Sequence, residues 1–574
     1  MKTENKNKGE RLAYFKALYE SARSAYSDTL SSLDKYMRQY QGSHEIDGGT
    51  DALTVRNITY EMVESQVSSE IPMPKADPDS YSELRDREAV VIESLCRSLL
   101  NKLPFDEMND LDERFTYIYG GSVWLVEWDN ECEKPNERGE VKIRVISPKN
   151  FIPQPGVFSV DDMEYCFIKF ISTKSELMSR YGIGDEECVN LDIDTEGAVF
   201  SGEATVSVVL CFYRDENSDI GKFVFSGDVT LLDVEKYYKR KTKVCEYCGL
   251  PIDFCSCENK GKTKLKDVDF EFITEKNGGG HLKAPYYTPK SFPLVIRKNT
   301  SAENSLLGQS DCEYIRPEQQ AINKIESRIL QKLLRAAVTP IVPEDATIAL
   351  NNSIFGQVIK MKPGESMAQY GKVDTTPDIS QDITEAERLY DHSKRILGIS
   401  DAFQGIDTRS GESGYAKQLR ISQASGRLES KKKMKHTAYA KLYRIIFEHY
   451  LAFADEPRTL SYKDDFGRIH DQYFNRLDFL LFDPERSEFF YDDGFLFSVD
   501  ENGREGYQRE IIWEKNLENL KSGTLGDPTS SATLLRYWQS QERAHYPYAR
   551  ENVEYFRELM KGGAYTYGES CETV

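Results

Sequence analysis

Four cysteines, Cys245, Cys248, Cys255 and Cys257, fall within thirteen residues in "VCEYCGLPIDFCSCENK". The spacing is C-x2-C-x6-C-x-C. Two residues between the first pair let both thiolates face one tetrahedral ion, so the cluster reads as a structural Zn2+ site with every position filled by protein. Free or redox-paired thiols are the alternative. The second pair is tighter than the usual C-x2-C, and "GLPIDF" is a short connector for a full ribbon. Lys and Arg flank the cluster ("KYYKRKTK" and "KGKTKLK"), as a solvated rim or a nucleic-acid contact would require. The other cysteines of the eleven are mostly isolated in apolar or mixed stretches, such as Cys96, Cys166 and Cys211. Buried thiols in a reducing compartment are expected there.

A second set is basic. Lys324, Arg328, Lys332 and Arg335 step by four, four and three along a helical pattern, beside an apolar row of Ile322, Ile325, Ile329, Leu333 and Ala336. Such a stripe is either a solvated face or a face turned toward a polyanion or a neighbouring subunit. Catalytic signatures are mostly missing: no G-x-x-x-x-G-K-[ST], H-E-x-x-H, G-x-S-x-G or strand-linked G-x-G-x-x-G occurs. Asp492 and Asp493 in "FFYDDGFLF" read as a hairpin turn between aromatic strands ahead of a metal-dependent nuclease pair. Seven scattered His give general acid/base chemistry little material. A chain without catalysis is expected. The competing reading is a zinc-stapled nucleic-acid-processing enzyme using the acids of 464–500.

The elements that must carry these residues follow from patterning. With 574 residues and 39% hydrophobic content, three or four packed units are expected. No run reaches transmembrane length, and "MKTENKNKGERLAYF" lacks an apolar signal-peptide core, so a soluble, intracellular protein is expected. A net charge of -21 argues against a protein that coats nucleic acid. The charge is segregated: residues 409–444 hold 10 Lys+Arg against 2 Asp+Glu, including "KKKMK", while 445–574 hold 14 against 25. Contrasting neighbours at the two ends would suit that arrangement.

Apolar steps of three and four predict one helix over 10–41 closed by Gly42, and others near 83–103 and 108–119, the last stopped by Gly120 and Gly121. Strands are expected at 140–147, 163–171, 204–213 and 222–232, with a short helix in "TKSELMSRYG". Helices over 314–338 and 380–397 flank a Pro- and Gly-containing insert at 339–378. A loop rich in Gly, Ser and Asp follows, then a helix over 413–454, about 60 Å long. Aromatic strands fill 459–499, and helices return at 504–521, 529–543 and 547–561.

In this order the chain resembles tailed-bacteriophage portal proteins. The segments that carry the likeness are "YGGSVWLVEWD", "VISPKNFIPQPGVFSVDDMEYCFIKFISTKSELMSRYG", "LLGQSDCEYIRPEQQAINKIESRIL" and the helix, insert, helix, loop, long-helix run of 312–456. The resemblance covers roughly residues 10–520, and its specificity lies in the order of degenerate motifs. It implies an α+β multi-region fold. An N-terminal helix (1–42) leads to a mixed α/β wing (43–311, with the cysteine insertion at 240–265). Stem helices at 312–338 and 379–397 bracket a clip (339–378). A tunnel loop (398–412), a long wing helix with wing strands (413–503) and a helical crown (504–574) complete it.

The resemblance further implies a dodecameric ring at one capsid vertex, in the virion, assembled in the host cytoplasm. Double-stranded DNA would pass through its channel, lined by stem residues such as Lys324, Arg328, Lys332 and Arg335. Gly405, Asp407, Arg409, Ser410 and Gly411 would lie in the tunnel loop. Implied partners are the large terminase, a head-completion adaptor or tail protein, and the major capsid and scaffolding proteins, with no membrane. The cysteine cluster departs from the family pattern and reads as a local insertion.

Overall fold

The structure, a computed structural model, describes most of residues 8–559. Outside the description lie 1–7, 44, 47–49, 52–53, 81–82, 135–136, 194–204, 246–262, 275–280, 336–337, 342–370, 375–377, 400–425, 464–468, 485–487, 501–505 and 560–574, with single positions and parts of 544–558. The architecture is mixed α/β, and no described helix is long and apolar enough to cross a membrane.

Its centre is the helix Gly426–Phe453. Over its second half Leu442, Tyr443, Ile446, Phe447 and Leu451 are all buried while Lys441 and Arg444 stay exposed, so a broad apolar face is turned into the core. Around it pack the helix Glu83–Lys102, the three-stranded antiparallel sheet Leu294–Lys298, Gly121–Lys134, Glu137–Ile146, and the strand Phe495–Asp500, which pairs with Met73–Pro78. Trp124 lies 5.5 Å from the Tyr439 ring and 6.1 Å from Phe105, tying sheet, central helix and the helix Phe105–Tyr119 together.

A second core is built on a five-stranded antiparallel sheet in the order Val229–Val234, Ile220–Ser226, Thr205–Arg214, Tyr165–Thr173, Phe151–Pro153. The helix Lys8–Ala25 covers one face with Phe15, Tyr19 and Ala22, and a second apolar cluster covers the other. Both faces are therefore largely covered, and Thr205–Tyr213 is buried throughout.

The helices Ser27–Tyr40, Ile58–Glu64, Phe105–Tyr119 and the short Asp311–Tyr314 form a base, on which a helical hairpin stands. Its arms are Arg316–Arg335 and Ser380–Leu397. They run antiparallel: Glu318 meets His392 at the root, and Arg328 and Lys332 meet Asp382 at the far end. Beyond them Val338–Ile341 pairs antiparallel with Gly371–Asp374.

Several sequence expectations change. The helix over 10–41 is two helices broken at Tyr26, because its halves bury against different cores, the five-stranded sheet and the base. The strand at 222–232 is a hairpin turning at Gly227, whose φ of +56° an L-residue seldom adopts. The Asp492–Asp493 turn joins strands of two different pairs and is no hairpin: Glu488–Tyr491 pairs with Leu480–Asp483. The helix expected over 314–338 ends at Arg335, with Val338 already in a strand. Gly120 does end its helix, at φ +86°, and a Cβ there would meet the Gly308 carbonyl at 2.3 Å. The closeness lets the 299–310 loop pass directly over the helix end.

Candidate functional site

The residues singled out by sequence fare differently. Of the basic stripe, Lys324 is exposed, while Arg328 and Lys332 both reach the Asp382 carboxylate on the other arm of the hairpin. Arg335 ends the same helix. Those ion pairs hold Asp382 below the usual carboxylate range, first through the hydrogen bond from Lys332. The apolar row faces burial that falls along the helix: Ile322 is fully buried, Ile325 and Ile329 half-buried, and Leu333 is 50% exposed. Gly405, Asp407, Arg409, Ser410 and Gly411 lie outside the described residues.

Cys245 ends the strand Arg240–Cys245, opposite Thr263 of the strand Thr263–Val268. Cys248, Cys255 and Cys257 belong to the connection between those strands and lie outside the described residues. Cys245 itself is buried at the loop end of that strand pair. Among the described residues no group of three or more His, Cys, Asp or Glu is arranged to hold an ion. Cys96, Cys166 and Cys211 are buried, and burial pushes each thiol's pKa up.

The acid pair is occupied. Asp492 accepts a two-point contact from Arg85, at 2.8 Å from Nε and 2.5 Å from Nη2, while Asp493 accepts from the Tyr287 hydroxyl at 2.9 Å. A bidentate guanidinium takes the lone pairs that a metal would use.

Among the described residues, a heavily charged buried cluster that sequence reasoning does not single out as a site lies at the foot of the hairpin. Lys431 and Lys435 belong to "KKKMK", part of the net-basic stretch 409–444. Both are turned inward. Lys431 Nζ donates to both Asp311 oxygens, at 2.9 and 2.6 Å, and Asp311 also accepts from Gln66 at 2.9 Å and Asn299 at 2.7 Å. Lys435 pairs with Glu113 at 3.0 Å, and Glu113 accepts from Arg297 at 2.7 Å. Arg297, 2% exposed, also meets Asp112, which accepts from Trp124 Nε1 at 2.7 Å and from Ser122. Lys432 and Lys433 are paired as well, with Glu70 and Glu429.

Burial alone would raise the Glu113 pKa, but Arg297 and Lys435 hold it below the usual carboxylate value. For Lys435 burial dominates and lowers its pKa, against the pull of Glu113. A signal was present in the sequence: Lys431, Lys435, Tyr439 and Tyr443 repeat every fourth residue on a helix that is otherwise apolar in its buried part.

A cleft of about 550 Å³ lies between the two sheets, lined among others by Glu127, Arg144, Arg180, Tyr181 and Lys222. Glu127 accepts from both Lys222, at 2.6 Å, and Arg144. Burial would raise the Glu127 pKa, yet these two cations lower it to about 2.

No protein-family model matches the chain, and no curated protein matches it in sequence.

Proposed function

We propose that this chain is the subunit of a portal-type ring: a dodecamer at one capsid vertex that passes double-stranded DNA and serves as a docking platform. The observation that carries the reading is the antiparallel helical hairpin Arg316–Arg335 and Ser380–Leu397. It rises from an α/β body and continues into the strand pair Val338–Ile341 and Gly371–Asp374, directly before 400–425 and the central helix. On this reading the hairpin is the stem, the segment beyond its tip the clip, and 398–412 the tunnel loop. The five-stranded sheet with its neighbours is the wing, and 504–574 the crown.

The clip would meet the large terminase during packaging and the head-completion adaptor or tail protein afterwards. Major capsid and scaffolding proteins would surround the wing. Zn2+ on Cys245, Cys248, Cys255 and Cys257 would staple the hairpin at 240–268. The occupied state of Asp492 and Asp493 supports a subunit without catalysis of its own.

Negative-stain microscopy and mass measurement of the purified chain test the reading. Rings with a central channel are expected. A chain that stays monomeric at every salt and protein concentration, or one with metal-dependent nuclease activity lost in Asp492→Ala, would replace it.

A further inference from the structure

Along the central helix, Lys431, Lys435, Tyr439 and Tyr443 form one stripe, and each donates a hydrogen bond to a group outside the helix. Lys431 reaches Asp311 and Gln66, Lys435 the Glu70 carbonyl, Tyr439 Asn109 and Tyr443 the Pro72 carbonyl. At the upper end of this stripe three acids, Asp112, Glu113 and Asp311, meet three bases, Arg297, Lys431 and Lys435. The side chains of the acids are 0, 1 and 1% exposed, those of the bases 2, 12 and 6%. The charges balance.

A balanced buried cluster of this kind contributes little net stability compared with an apolar cluster of the same volume, because desolvation offsets the attraction. Its geometry is another matter. Apolar side chains tolerate small sliding, whereas each charge here has a fixed set of partners at hydrogen-bond distance, and moving one strands the rest. What the cluster holds in register is specific. Asp311 opens the turn Asp311–Tyr314, and only Ile315 separates that turn from the hairpin helix Arg316–Arg335. Lys431 lies in the second turn of the central helix. The pair therefore ties the root of the hairpin to the start of the helix that crosses the core, with Glu113, Lys435 and Arg297 fixing the next turn.

We infer that Asp311 and Lys431, backed by Glu113, Lys435 and Arg297, are positioning residues that set the angle of the helical hairpin on the body. The joint is read from the single chain. Its use, fixing the bore of a channel, rests on the ring reading.

The test uses the full-length chain carrying Asp311→Asn, Lys431→Met, or both. Each single substitution strands a buried partner and lowers the urea midpoint. The double substitution removes both charges with little change of volume and restores the midpoint close to wild type. Hydrogen exchange then separates the roles. In the double variant, peptides covering 311–335 and 380–399 exchange about ten-fold faster than wild type, while peptides of the sheet 121–146 are unchanged.

A double variant whose hairpin peptides exchange at the wild-type rate overturns the positioning role and leaves a merely structural pair. Where wild-type rings form, class averages of the double variant show a stem of altered or blurred diameter; an unaltered stem also overturns the inference. A wild-type chain that forms no rings removes the portal reading alone, since the exchange comparison is made on the chain whatever its assembly.

Discussion

At the scale of single residues, two buried groups make stability depend on pH in one direction. His449 is fully buried, its Nδ1 donating to the Ile445 carbonyl, and burial lowers its pKa from 6.5 to about 4. The unfolded chain binds that proton first, so the contribution is full above the unfolded value and is lost as pH falls from about 6.5 toward 4. Glu127 has a folded value of about 2 against 4.5, so its contribution is present above 4.5 and lost as pH falls toward 2. The two windows adjoin. Urea midpoints should fall between pH 7 and pH 5, and His449→Gln should flatten that first arm while leaving the steeper loss below pH 4.5. An unchanged slope in the variant would assign the first arm to other groups.

At the scale of elements, glycine positions differ in what they demand. Gly398 closes the helix Ser380–Leu397 at φ +77°, and alanine there costs about 1 kcal/mol of backbone strain. Gly120 has a comparable φ of +86°, and in addition a Cβ added there would lie 2.3 Å from the Gly308 carbonyl oxygen, closer than a real Cβ comes. Thermal unfolding should therefore show Gly120→Ala as much the more damaging, with the 299–310 loop displaced. Similar shifts for the two variants would mean that the loop yields freely. For the hairpin Arg240–Cys245 and Thr263–Val268, elemental analysis should find one zinc per chain, and chelation should speed amide exchange in those strands. Absence of metal with all four thiols freely titratable would remove the ion from the account.

At the scale of the whole molecule, the charge of -21 acquires a different distribution from the one the linear count suggests. Residues 409–444 hold 10 basic against 2 acidic residues, yet Lys431, Lys432, Lys433 and Lys435 all pair within the chain. Less basic surface is left for a polyanion than the sequence advertises. On the proposed ring reading, fewer basic groups free for phosphates would mean a weaker hold on DNA. Of the basic stripe on Arg316–Arg335, Arg328 and Lys332 reach Asp382, and Lys324 is exposed on the same helix. On the proposed ring reading, Lys324→Glu should reduce ring yield or packaged DNA in particles. Unchanged values for both would make that face an ordinary solvated one.

The sequence by itself determined the elements whose signals are local. Ser380 and Gly398 mark the bounds of one hairpin helix, Thr173 and Gly182 cap the short helix Lys174–Tyr181, and apolar runs locate the two strands Tyr165–Thr173 and Thr205–Arg214 of the five-stranded sheet. Those signals are legible because caps, turns and periodicity act within a few residues of themselves. Only the tertiary structure decided that one apparent N-terminal helix breaks at Tyr26, since no residue there forbids continuation and the break answers to two separate cores. The candidate site divides the same way. A four-cysteine spacing is visible in a line of text. The inward turn of Lys431 and Lys435 is not, because whether a lysine meets water or a buried carboxylate depends on Asp311 and Glu113, 120 and more than 300 residues away in sequence. Charge type is written locally, but charge environment is made by the fold.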